Sequence, residues 1–245
     1  MRTKARQTFE TKINYFLDDI DLVDVLRTSV LENDLTDPKS PKILSRVDPN
    51  QHPHLNRRKN SDGSRELIVN HLRSTIYSGF VKDIYEEITH YLRRIMEDAA
   101  KSGFNSDRII GEHSFTVDVR SVLRIGNWEQ LCKYVTDSVF QALERERSTM
   151  QLLKKMSIKL GLNVPSNLIE DILPYLEVRH FLVHTDGQVT AEFRQKYQDF
   201  SYMDNKIRLN YAFVTNTHTK SLALIEAFDE ALIANNLLSE EYLQP

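Results

Sequence analysis

From Arg65 to Lys101 the chain carries Leu72, Ile76, Phe80, Ile84, Ile88, Tyr91 and Ile95 at three- and four-residue intervals, with Gly103 just past the end. A stripe of that period and length fits an amphipathic helix, since a half-buried strand would alternate every second residue. A helix this long organises whatever packs around it. Three further stretches repeat the pattern. Residues 8–33 place Phe9, Ile13, Phe16, Ile20 and Val23 on one face. The repeat from Trp128 to Leu160 opens on Asn127, with Gln130 three residues later as in a capping box, and stops before Gly161. Thr217 to Asn236 carries Leu222, Ile225, Phe228 and Leu232 behind a Thr cap. Ser166–His184 is also helical in pattern, but contains Pro174, whose ring and missing N–H predict a kink or a new start there. With seven Gly and seven Pro in 245 residues, long helices are favoured over turn-linked strands. The expected fold is a mainly all-α helical bundle in a single domain spanning 1–245.

The interruptions are equally legible. Pro38, Pro41, Pro49, Pro53 and Gly63 break a polar sequence and predict a flexible loop over 34–64. Its Arg57-Arg58-Lys59 run reads as part of a solvated loop rather than a binding groove. Residues 104–126 are left irregular, although Phe115, Val117 and Val119 alternate like a short strand between Gly111 and Gly126. After the Asp186-Gly187 turn we expect a short helix over Ala191–Gln198. A strand follows through Ile207, Leu209, Tyr211 and Phe213, with a small hairpin through Asp204-Asn205.

Composition narrows the function classes. The first ten residues are too polar for a signal-peptide core, and no apolar run approaches the roughly 18 residues of a membrane span, so a cytoplasmic location is expected. Cys132 cannot form an internal disulfide and falls in an apolar helical pattern, as a buried small hydrophobe does. A net charge of −3 gives no global basic face, so any contact with nucleic acid has to be local. There is no Gly-rich phosphate loop, and no cofactor is expected.

The residues that point to chemistry are Arg179, His180 and His184. With Leu176 at the centre of the buried face, about 100° per residue puts all three beside the apolar stripe at the C-terminal end of their helix. RNA scission without a metal needs one group to remove the 2′-hydroxyl proton, another to protonate the leaving oxygen and a cation on the phosphate. Histidine titrates near neutrality and arginine offers a planar, permanently charged fork. His184 and Arg179 fit those roles. The same Arg-to-His spacing occurs at Arg46–His52, Arg65–His71 and Arg108–His113, but without a polar follower at a helix end. Two other readings stay open. Glu177-x-x-His180 and Glu87-x-x-His90 repeat the spacing of di-iron carboxylate bundles, although His90 falls away from its helix's apolar stripe. Alternatively, His180 is a packed core histidine and Arg179 answers Glu177 or the helix-end carbonyls in a non-catalytic interaction or RNA-binding module.

The segment Leu176-Glu177-Val178-Arg179-His180-Phe181-Leu182-Val183-His184-Thr185-Asp186-Gly187 resembles the motif of the HEPN superfamily: an Arg, a polar residue, then a His four to six residues after the Arg at a helix end. Leu72–Glu87 resembles the first long helix of its ribonuclease-LS-PSP-associated branch, without an acidic residue near Ser78. The resemblance implies a HEPN-like bundle, here with a small C-terminal β-hairpin or strand insertion, that pairs as a homodimer around a composite cleft. It also implies a metal-independent endoribonuclease leaving 2′,3′-cyclic phosphate and 5′-hydroxyl ends. Catalytic residues would be Arg179, His184 and His180, and no metal would be held. The family context is that of toxins, toxin–antitoxin pairs and phage-defence effectors. A Tyr that one subgroup's antitoxin modifies is replaced here by Asp186.

Overall fold

The computed structural model describes residues 1–103, 118–144 and 148–244. Helix α1 (Lys4–Leu31) starts at Thr3, whose hydroxyl accepts from the Arg6 N–H and so satisfies one of the four unpaired donors of the first turn. It runs against α3 (Asp62–Lys101), the long helix anticipated from the stripe. On α3 the buried positions are sparse up to Tyr77 and dense from Tyr77 to Ala99. The second half of α3 is therefore the axis of the bundle, and the first half forms a two-helix arm with the end of α1. Polar bonds hold the arm together: Arg73 to Asp24 at 2.6 Å, Tyr77 to Asp24 at 2.7 Å and Arg27 to Asn70 at 2.9 Å.

Around α3 pack α5 (Trp128–Glu144), α7 (Ser166–His184) and α9 (Tyr211–Ala234), while α6 (Thr149–Leu160) covers α7. Buried side chains from all of these join those of α1 in one apolar cluster that includes Phe9, Ile84, Phe140, Met156, Leu176 and Phe228. The mainly all-α expectation holds. Among the described residues, no helix is long and apolar enough to cross a membrane. Cys132 is buried, as its pattern indicates.

Several local expectations are corrected. The apolar repeat of Trp128–Leu160 does not form one helix: Ser148 is extended, at φ −122° and ψ 118°, and its side chain caps the Gln151 N–H at 3.5 Å to start α6. Asn127 does cap α5, through the Gln130 N–H at 2.9 Å. Pro174 does not break α7. Ile172, Leu173, Tyr175 and Leu176 around it are all buried, and that packing offsets the roughly 3 kcal/mol of an interior proline. The strand expected from Ile207 to Phe213 ends at Ile207. Asn210 then caps the Phe213 N–H at 2.8 Å and starts α9 at Tyr211, so Tyr211 and Phe213 are helical. The alternation was real, but a cap and a buried helical face decided the outcome.

The hairpin is present as β2 (Tyr202–Met203) paired antiparallel with β3 (Lys206–Ile207). Asp204 and Asn205 take φ of 49° and 65°, the positive values that a two-residue hairpin turn of the primed kind requires. The short helix α8 covers Ala191–Lys196. The chain ends meet where β1 (Arg2–Thr3) pairs with β4 (Leu243–Gln244). Residues 34–61 are irregular apart from α2 (Pro53–Asn56), yet they are tied down: Ile43 and Val47 are buried, and the Asn60 N–H reaches the Pro41 carbonyl at 3.2 Å. A third short helix, α4, spans Val119–Arg124. The alternation at Phe115 and Val117 and the Arg108–His113 pair lie outside the described residues.

Candidate functional site

The end of α7 is held from behind by aromatic side chains. Phe181 meets Phe193 edge-on at 4.9 Å, Phe193 meets Tyr197 at 4.7 Å, and Tyr175 meets Phe200 at 5.1 Å and Phe213 at 5.0 Å. These pairs dock α8, the hairpin approach and α9 onto one face of α7. The Tyr197 hydroxyl also donates to Glu177 at 3.3 Å, and burial raises the Tyr197 pKa above its usual value. Local sequence explains the abrupt stop that follows. The Thr185 and Gly187 N–H groups both return to the Phe181 carbonyl, at 3.0 and 2.9 Å, and Gly187 takes φ +79°. The turn is stitched to the hairpin by Ile207 N–H to Gly187 O at 3.0 Å, Val189 N–H to Asn205 O at 3.0 Å and an Asp186–Lys206 ion pair. That ion pair lowers the Asp186 pKa.

On this fixed end the three sequence-selected residues occupy different environments. Arg179 is half-buried, with its guanidinium over the Tyr85 ring of α3 at 4.6 Å from the centroid and its Nε buried without a hydrogen-bond partner. His180 and His184 are both exposed, more so than their projected places beside the apolar stripe suggest. Their rings lie 4.7 Å apart, one helical turn from each other. Arg179 and His180 line a cleft of about 450 Å³ whose other walls include Tyr85, Glu144, Ser148 and Glu177. His184 is not part of that lining. A smaller hollow of about 250 Å³ shares Tyr85, Glu144 and Arg179 and continues toward Arg93 and His90.

Tyr85 and Glu144 are the residues that sequence reading missed. Both belong to other helices, and no local spacing connects them to Arg179. Glu144 is paired with Arg93 at 3.2 Å, so the cleft floor is partly neutralised. The two Glu-x-x-His pairs do not converge. Glu177 faces the cleft with His180, whereas Glu87 is held by Lys12 at 2.8 Å and His90 is exposed, 3.7 Å from Glu87. Among the described residues, no group of three or more His, Cys, Asp or Glu side chains is placed to hold a metal ion. Comparison of the chain with known protein families, with curated proteins and with solved structures finds no match.

Proposed function

We propose that this protein is a metal-independent endoribonuclease of HEPN type. The observation that carries the reading is the adjacency of the His180 and His184 rings at an exposed, rigidly backed helix end, beside a cleft that holds the Arg179 guanidinium. In the proposed reaction an imidazole takes the proton of an RNA 2′-hydroxyl, whose oxygen attacks the adjacent phosphorus. The 5′-oxygen leaves with a proton from a second imidazole, and a 2′,3′-cyclic phosphate and a 5′-hydroxyl result. Arg179 offsets the charge that builds on the phosphate oxygens.

In-line displacement places the proton acceptor and donor on opposite sides of the phosphorus, whereas His180 and His184 of one chain are neighbours. A two-fold homodimer that sets two α7 ends face to face supplies the second side without further sequence. It also explains how His184, outside the cleft of its own chain, reaches substrate. A toxin or defence role, with a regulatory partner, belongs to the same reading, as does a cytoplasmic location. The test is incubation of purified protein with RNA in EDTA, with end-group analysis and an Arg179→Ala/His184→Ala control. Cleavage to cyclic phosphate ends that the double variant abolishes supports the proposal; intact RNA overturns it.

One observation favours a second reading, a non-catalytic helical interaction module. Stacking of Arg179 on Tyr85 pins α7 to α3, a packing role that needs no substrate. Loss of stability in Arg179→Ala, together with no RNA cleavage by the native protein, would select it.

A further inference from the structure

The tip of the arm, residues 34–62, carries six Lys and Arg against four Asp in a chain whose net charge is −3. Its carboxylates are largely engaged with the protein's own groups. Asp37 accepts from the Lys39 N–H at 2.8 Å, Asp48 from the Asn50 and Gln51 N–H groups at 2.7 and 3.3 Å, and Asp62 from Arg65. Those amides also hold the Asp48 pKa below its usual value. Lys39, Lys42, Arg46, Arg57, Arg58 and Lys59 form no ion pair with any described residue. Lys42 and Lys59 even face each other across an antiparallel bridge. Like charges directly opposite are destabilising. The fold nonetheless fixes this arrangement, through buried Ile43 and Val47, the Asn60 side chain on the Ser40 carbonyl at 3.1 Å, and Arg65 on Asn60 at 2.6 Å. The sequence alone assigns the run to a solvated loop; the scaffold makes it a preformed surface of net positive charge, six Lys and Arg against four Asp, with Lys42 near enough to Asp48 to help lower its pKa.

We infer that the arm tip binds the phosphate backbone of RNA. This rests on the nuclease reading for the identity of the polyanion and adds a second contact on the same substrate. The tip contributes charge and no Phe, Tyr or Trp, so its main contact is with phosphates. The stretch of α3 from Asp62 to Tyr85, beneath Arg179, spans about 35 Å at 1.5 Å per residue. An RNA that reaches both places is at least about ten stacked nucleotides long, at roughly 3.4 Å per phosphate.

The test uses full-length protein and fluorescein-labelled, 2′-O-methylated RNA of about 30 nucleotides, which cannot be cut through a 2′-oxygen. Binding is followed by anisotropy across a salt series, and the tip variant is Arg46→Gln/Arg57→Gln/Lys59→Gln, all three side chains being exposed. The variant should bind at least tenfold more weakly. The slope of log affinity against log salt should become shallower by about 2, at roughly 0.7 per phosphate contact on single strands. A Lys59→Glu variant relieves the Lys42–Lys59 repulsion, so its Tm should rise while its RNA affinity falls. Unchanged affinity and salt slope overturn the inference. So does a tip variant that alters only the protein's self-association, which would assign the surface to a second copy of the chain. Failure of the nuclease reading is separate: RNA held by the tip but never cut removes that reading and leaves this one standing, whereas RNA cut equally well by the tip variant at all lengths does the reverse.

Discussion

Arg179 and Tyr85 form the contact that joins the candidate motif to the core, with the guanidinium carbon 4.6 Å from the ring centroid. Stacking of this kind orients a planar cation while leaving its N–H edge free to face a ligand, and at a partly desolvated site it contributes about 1–2 kcal/mol. Tyr85→Phe keeps the ring face and should leave RNA cleavage within about twofold of the native rate. Tyr85→Ala releases the guanidinium and should lower kcat by about tenfold, since 1.4 kcal/mol corresponds to that factor. Comparison of kcat and KM for the two variants checks this; equal rates would show that the stacking does not position Arg179.

His184→Ala should lower cleavage by at least roughly 10²-fold, the usual loss for a general acid–base group, with unchanged helicity because the side chain is exposed at the helix end. Arg179→Lys should also be impaired, since lysine keeps the charge without the planar fork. At His180, asparagine retains hydrogen bonding and should cost less than alanine; complete loss in both would make His180 itself a proton-transfer group. Single-turnover cleavage rates decide among these outcomes.

Gly187 adopts φ +79°, and a Cβ there would sit 3.6 Å from Leu182 Cδ2. The space is adequate, but the backbone conformation is unfavourable for any L side chain. Gly187→Ala should therefore cost about 1–2 kcal/mol, read as a shift of the denaturation midpoint. It should also weaken cleavage, because the turn fixes where His184 ends up.

Asp229 is fully buried and accepts from the Thr3 N–H at 3.2 Å, the Thr3 hydroxyl and the Tyr91 hydroxyl at 3.4 Å. Burial raises its pKa, although the Thr3 bonds and Arg6 act the other way. A carboxyl whose folded pKa exceeds its unfolded value of about 3.9 favours the fold below that value, and this contribution is lost as pH rises through the folded pKa. Thr3→Val removes both the cap of α1 and one donor to Asp229, and should cost about 2 kcal/mol near neutrality. The penalty should shrink as pH falls through the raised folded pKa, where Asp229 takes up a proton and the buried charge is lost. Urea denaturation of both proteins at pH 4 and pH 7 measures it; a pH-independent difference would show that only the cap matters.

How much of this could be read in advance follows from the range over which each cause acts. The stripe from Leu72 to Ile95 fixed α3, the Asp204-Asn205 pair fixed the hairpin, and Arg179, His180 and His184 fell at a helix end because Thr185 and Gly187 stop α7 locally. These are near-neighbour effects of period, cap and turn chemistry. Tertiary packing decided the rest. It carried α7 through Pro174 by burying the residues around it, and turned the alternating Tyr211 and Phe213 into the first turn of α9. It also brought Tyr85 beneath Arg179 and Glu144 to the same cleft from two other helices. A one-dimensional pattern records which face of a helix is apolar; which side chain of a distant helix meets that face depends on how the whole core packs.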